Sequence, residues 1–166
     1  MTDSADWSQH PLARRALAKS DQPAPMTHLH HAARHGWLED IEAELDAGAD
    51  IEAPTTDQHE WTPLHWAALS GHTEAVQLLL ARGANINSLD AKGSSPLMFA
   101  IHGKHVETAL VLLDAGADTR VVNEAGRTAE ELASRFDQVL QLTVRRAGLK
   151  TISGITGEQE REKPIF

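Results

Sequence analysis

Thr62-Pro63-Leu64-His65-Trp66-Ala67-Ala68 recurs 33 residues later as Ser95-Pro96-Leu97-Met98-Phe99-Ala100-Ile101, and after another 33, more loosely, as Thr128-Ala129-Glu130-Glu131-Leu132-Ala133-Ser134. Upstream, Thr27-His28-Leu29-His30-His31-Ala32-Ala33 matches at a spacing of 35. A second block keeps step with the first: Asp46-Ala47-Gly48-Ala49-Asp50, Ala81-Arg82-Gly83-Ala84-Asn85 and Asp114-Ala115-Gly116-Ala117-Asp118. The two extra residues fall between Gly48 and Thr62, in the loop that holds Pro54-Thr55-Thr56. Self-similarity at a period of this length marks a stack of like units, each of which hides its apolar face only against its neighbours.

Every unit carries the same local instructions. A Thr or Ser hydroxyl accepts free amide protons of a first helical turn, and Pro at the next position loses nothing, since its missing N–H would have been unpaired there. Thr128-x-x-Glu131 adds a capping-box pattern. The pairs Ala32-Ala33 and Ala67-Ala68 suit a helix pressed closely on others, and Gly36 and Gly71 end those helices. Acids open the next helix (Glu39-Asp40, Glu74, Glu107), where the positive helix terminus favours them. Its apolar residues, Val76, Leu79 and Leu80 and then Leu110, Leu112 and Leu113, are expected to face the stack. Gly48, Gly83 and Gly116 stop it. Each unit therefore reads as helix, turn, helix and extended loop.

With a turn bearing Asp and Gly, then T-P-L-H-x-A-A, G-H, a Leu-rich helix and G-A-D, the chain resembles the ankyrin repeat family. The resemblance covers about 27–148, three repeats and a C-terminal half-repeat acting as cap. It implies an all-α solenoid of stacked helix-turn-helix units with β-hairpin loops, and a role in binding other proteins. Two positions depart from the pattern. Lys104 stands where Gly36 and Gly71 stand, so a left-handed residue there is strained unless Gly103 absorbs the turn. Glu60 replaces the turn glycine supplied by Gly93 and Gly126, which predicts an unusual loop before Thr62.

The flanks say less. In the arm 1–26, Gln9–Lys19 reads equally as a short helix capping the first repeat or as a polar arm, because isolated helices of this length are marginal. Residues 149–166 are rich in Gly and charge and read as a flexible tail.

Composition narrows the chemistry. The 166 residues carry 15 Lys+Arg, 24 Asp+Glu and no Cys, a formal charge of −9. Thiolate metal sites, disulfides and cysteine nucleophiles are excluded. The acidic balance argues against a nucleic-acid partner. No apolar run approaches the ~20 residues that span a bilayer, and the first residues lack an apolar signal core, so the expected address is cytoplasmic, with no membrane partner. Between Arg34 and Arg82 there is no Lys or Arg but ten acids. Two readings stand for that stretch: acids placed at helix starts, or a surface that draws a partner basic where it meets the N-terminal half.

The ten His invite a metal site, above all His31 and His35 at a spacing of four with His28 nearby, but a structural zinc ion wants four ligands and none completes the set. A His-based metal-binding protein remains the reading from another class. His65, His72 and His105 fit packing and turn roles better. No phosphate loop, no G-x-S-x-G and no H-E-x-x-H occurs, so the chain is read as no enzyme and as needing no cofactor. The expected function is a non-catalytic protein-binding module, monomeric alone. A secreted effector or enzyme inhibitor would use the same surface.

The resemblance also says which positions meet a partner: hairpin tips and the last residues of each first helix. Carried over, these are Arg34 and His35; Gln58, His59, Trp61, Leu69 and Ser70; Ala91, Lys92, Ser94 and His102; and Glu124, Arg127 and Arg135. Trp61 is expected to be the anchor, since aromatic and Arg side chains dominate binding hot spots. The competing expectation folds Trp61 down over the inserted loop, and Trp66 is expected to pack.

Overall fold

The computed structural model describes residues 26–134. The expectations for Gln9–Lys19, the 149–166 tail and Arg135 lie outside the described residues. Within them the chain forms seven helices and no strand: α1 (His28–His35), α2 (Leu38–Asp46), α3 (Pro63–Ser70), α4 (Thr73–Ala81), α5 (Pro96–His102), α6 (Val106–Asp114) and α7 (Ala129–Ser134). Helices α1, α3, α5 and α7 stack in one row, and α2, α4 and α6 in a second row outside it. This is the all-α ankyrin solenoid that the repeats imply.

Small residues set the spacing of the inner row. Ala32, Ala33, Ala67, Ala68 and Ala100 are fully buried between neighbouring helices, with Leu29, Leu64, Leu97 and Ile101 filling the space around them. The outer row contributes Ile41, Val76, Leu79, Ala109 and Leu112. Leu110 departs from expectation. It is 36% exposed, because Ala109, 33 residues on from Val76, takes the inward position and turns Leu110 away.

The helix starts hold a histidine that completes the cap. His65 Nδ1 lies 3.1 Å from the Thr62 backbone nitrogen and 2.9 Å from its hydroxyl, while Nε2 lies 3.1 Å from the Ser94 carbonyl oxygen in the next repeat. His30 repeats the arrangement with Thr27 and the Trp61 carbonyl. A backbone N–H only donates and a carbonyl only accepts, so both contacts require the neutral ring with its proton on Nε2. Each histidine thus caps its own helix and ties its repeat to the following one. The third repeat has Met98 at this place, and the Ser95 hydroxyl, expected as a cap, is buried without a partner. Thr128 and Glu131 form the expected reciprocal pair at 3.0 and 3.3 Å.

Gly36 is left-handed at φ 69°, and a Cβ there would lie 2.7 Å from His72 Nδ1 of the next repeat. In the third repeat Lys104 takes the left-handed conformation itself, at φ 63°. Gly103 does not absorb the turn: it keeps helical geometry, and a Cβ on it would press 2.7 Å from the Leu69 carbonyl oxygen. Left-handed backbone costs a side-chain-bearing residue roughly 1–2 kcal/mol, part of which glycine returns through the freedom it loses on folding. Lys104→Gly should therefore stabilise the protein by about 0.5–1 kcal/mol, seen as a higher urea midpoint at unchanged slope. An unchanged or lower midpoint would mean that the strain is relieved elsewhere.

Candidate partner-binding groove

Beyond each outer helix the chain runs out into a finger and returns to the next cap. Side-chain oxygens build the finger turns. Asp90 Oδ1 accepts from the backbone N–H groups of Lys92 (2.9 Å) and Ser94 (2.7 Å), and Asn123 Oδ1 does the same for Ala125 and Arg127. Asp57 Oδ1 accepts from the His59 N–H and the Thr55 hydroxyl, which holds the Asp57 carboxyl below the usual carboxylate range. The hairpins expected here are short turns without strands among the described residues: two backbone bonds close the second finger (Asp90 N–H to the Ser94 carbonyl, Gly93 N–H to the Asp90 carbonyl) and two the third (Asn123 N–H to the Arg127 carbonyl, Gly126 N–H to the Asn123 carbonyl). Neighbouring tips are also linked one bond at a time, Ala91 N–H to the His59 carbonyl and Glu124 N–H to the Lys92 carbonyl.

The inserted loop has its own keystone in Thr55, a residue that no repeat or motif marks out. Thr55 is buried, its hydroxyl accepts from the Trp61 N–H at 2.9 Å, and its own N–H donates to the Trp61 carbonyl. Glu60, left-handed at φ 54°, makes the turn between them. This clasp fixes the backbone of Trp61 and so aims its indole.

Trp61 does not fold over the inserted loop. Its Nε1–H donates to Asp90 Oδ2 of the next finger at 3.2 Å, and its ring meets Trp66 and Phe99 edge-on at centroid distances of 4.6 and 4.9 Å. Edge-to-face contacts are among the preferred aromatic geometries. Trp61 and Trp66 are half-buried and packed on the core, with one side left open. Trp66 packs as expected and also lies under the Arg34 guanidinium, 4.9 Å from its centroid.

A cavity of about 360 Å³ opens beside this cluster, between the second finger (tip Asp90–Gly93), the third (tip Asn123–Gly126) and helices α3, α5 and α7. Of the expected partner-binding residues it brings together Trp61, Leu69, Lys92, Ser94, His102 and Arg127. Arg34 stands further along the same face over Trp66, and His59 lies against Trp61 at 5.2 Å. The others are outside the cavity: His35 stacks on Trp37, Ser70 ends α3, and Gln58, Ala91 and Glu124 are at turns and tips. Sequence reasoning missed Met98, Phe99 and Leu132 on the floor. The signal was available, since Phe99 and Leu132 follow Trp66 at steps of 33 in one column of the repeat.

The acid-rich stretch belongs to a different face. Glu42 and Asp46 on α2 hold Arg82, Glu44 meets His28 at 2.9 Å, and Glu52 accepts the Asn85 N–H at 2.7 Å. Any basic partner drawn by those acids would meet the outer helices and loops. The histidines are committed to packing in several places: His30 and His65 at caps, His105 with its Nε2 3.0 Å from the Leu69 carbonyl oxygen. Among the described residues no three His, Asp or Glu side chains converge as metal ligands, and no helix is long and apolar enough to cross a membrane.

Comparison with known proteins agrees with this architecture. A family profile described as ankyrin repeats (3 copies) matches residues 8–90, and a second, ankyrin repeats (many copies), matches 81–133. The chain is 33% identical to human BCL-6 corepressor-like protein 1 over 124 residues, 75% of this chain and 7% of that protein. It is 34% identical to dog inversin over 115 residues, 68% of this chain and 11% of inversin. Mouse palmitoyltransferase ZDHHC13 matches at 29% over 119 residues, 68% of this chain and 19% of that enzyme. The chain thus spans less than a fifth of each of these relatives. Repeats of this kind generally mediate protein–protein interaction. Capped inner helices at a fixed period, a finger after each outer helix and the two profile matches together place this chain in the ankyrin repeat family.

Proposed function

We propose that the chain is a non-catalytic binding module that seats a partner protein in the groove between its fingers and inner helices, with Trp61 as the anchor. The observation that carries this reading is the half-open aromatic cluster of Trp61, Trp66 and Phe99, held from two fingers and bordered by the cavity. A rigid aromatic surface of this kind desolvates readily and loses little conformational freedom on binding. The stacked repeats supply the rigidity, because each finger is bonded to the next.

The test is a partner captured from extract, purified, and titrated against wild type, Trp61→Ala and Leu110→Ala on the outer row. Trp61→Ala should weaken binding by about 2 kcal/mol or more, roughly thirtyfold, while keeping a cooperative melt. Leu110→Ala should bind as wild type. Equal affinity for wild type and Trp61→Ala would refute the anchor assignment.

A further inference from the structure

Residues 26–134 contain seventeen acids and only six Lys or Arg. Where those six stand is not even-handed. Arg82 is paired with Asp46 and Glu42 on the outer side, and Arg120 with Asp118. Lys92 and Arg127, by contrast, both line the cavity, one from each of two adjacent fingers, and no carboxylate among the described residues forms an ion pair with either side chain. Arg34 extends the same sign along the face. Among the described residues, then, a chain of net charge −9 sets Lys92, Arg127 and Arg34 along one face beside an open apolar cavity.

Two acids lie close by. Asp90 is 9% exposed, and its oxygens already accept from two backbone N–H groups and the Trp61 indole, so it offsets one positive charge and has little left to offer a ligand. Glu124 is exposed at the third tip, where its N–H is bonded to the Lys92 carbonyl. Arg127 keeps a planar fork suited to a carboxylate, and Lys92 a mobile point charge at the rim.

We propose that this cavity takes an acidic segment of the partner protein, which plants a large apolar side chain on Leu69, Met98, Phe99 and Leu132 and sets a carboxylate, one or two residues away, between Lys92 and Arg127. It rests on the groove being the partner surface. The volume of about 360 Å³ falls at the lower end of the ~300–1,000 Å³ typical of ligand pockets, which limits the anchor to one or two side chains. The net negative charge of the molecule disfavours long acidic tracts, so the segment carries a few carboxylates beside its anchor and no more.

A displayed library of random 12-residue peptides, selected against the full chain, tests this. The expected winners carry Leu, Ile, Met or Phe with Asp or Glu within two positions. They should bind Lys92→Glu/Arg127→Glu about tenfold more weakly or worse, lose affinity in high salt, and lose binding to Trp61→Ala. The charge-reversed variant should select basic peptides instead. Winners without acidic bias that still need Trp61 would overturn the acidic occupant and leave the groove as the docking surface. Winners indifferent to both variants, or a selection giving no peptide that depends on the groove, would overturn both. A library outcompeted by single-stranded oligonucleotide at the same site would replace the acidic peptide with nucleic acid.

Discussion

Lowering the pH from 7.5 to 4 is expected to remove about 3 kcal/mol of folding stability through His65 alone, with about 2 kcal/mol of it gone by pH 5. Burial drives the effect: it pulls the His65 ring from the ordinary 6.5 down to about 4, against weaker opposing contributions from the Ser94 carbonyl and Asp90. Protonation would also place a hydrogen on Nδ1, where it would confront the Thr62 N–H that this nitrogen now accepts. Because the folded value lies below the unfolded one, the unfolded chain takes up its proton first as pH falls. Stability is full above about 6.5, declines through the window between 6.5 and 4, and loses nothing further from this group below it. His30, lowered by the same burial, adds to the loss. Against a typical total of roughly 5–15 kcal/mol this is a large share. Urea titrations at pH 7.5, 6 and 5 would show it, with His65→Met as reference, since Met98 fills the equivalent place in the third repeat. A wild-type midpoint unchanged between pH 7.5 and 5, or a His65→Met slope equal to that of wild type, would defeat this account.

Leu97→Ala should cost about 3–5 kcal/mol, the range for truncating a leucine that neighbours cannot close over. Leu97 is 0% exposed in α5, the inner helix that packs on α3 at one side and α7 at the other. A lesion there loosens two interfaces at once. Val122→Ala, at a residue 59% exposed, should stay within about 0.5 kcal/mol and serves as the control. A loss under about 1 kcal/mol for Leu97→Ala, measured by circular dichroism in urea, would show that the central repeat is not where the stack is tied together.

What the sequence decided was the repeat itself and most of the helix starts and stops within it, though not the Ser95 cap or the facing of Leu110. Thr27, Thr62 and Thr128 start helices, Gly36 and Gly71 end them, and a period of 33 brings like faces together. Such rules operate over a few residues, so they are visible in any unit and reinforced by repetition. The strain at Lys104 was legible for the same reason, as a break in a column where the backbone demands φ > 0; Glu60, read as the mark of an unusual loop, takes the left-handed turn as well.

The tertiary structure alone decided what depends on where one repeat lands against another. The Trp61 indole N–H reaches Asp90, 29 residues away, and the ring packs on Trp66 and Phe99 beside the groove. Lys92 and Arg127 come to line one cavity, while Gln58, Ala91 and Glu124, equally plausible by position, stay at the tips. Glu42 and Asp46 of α2 turn to Arg82, and Glu52 in the loop after it to the Asn85 N–H. Each of these depends on how side chains from two or three repeats pack together, which is not written in the spacing of the repeat. The period fixes which residues can meet; the packing of small alanines between the inner helices fixes which of them do.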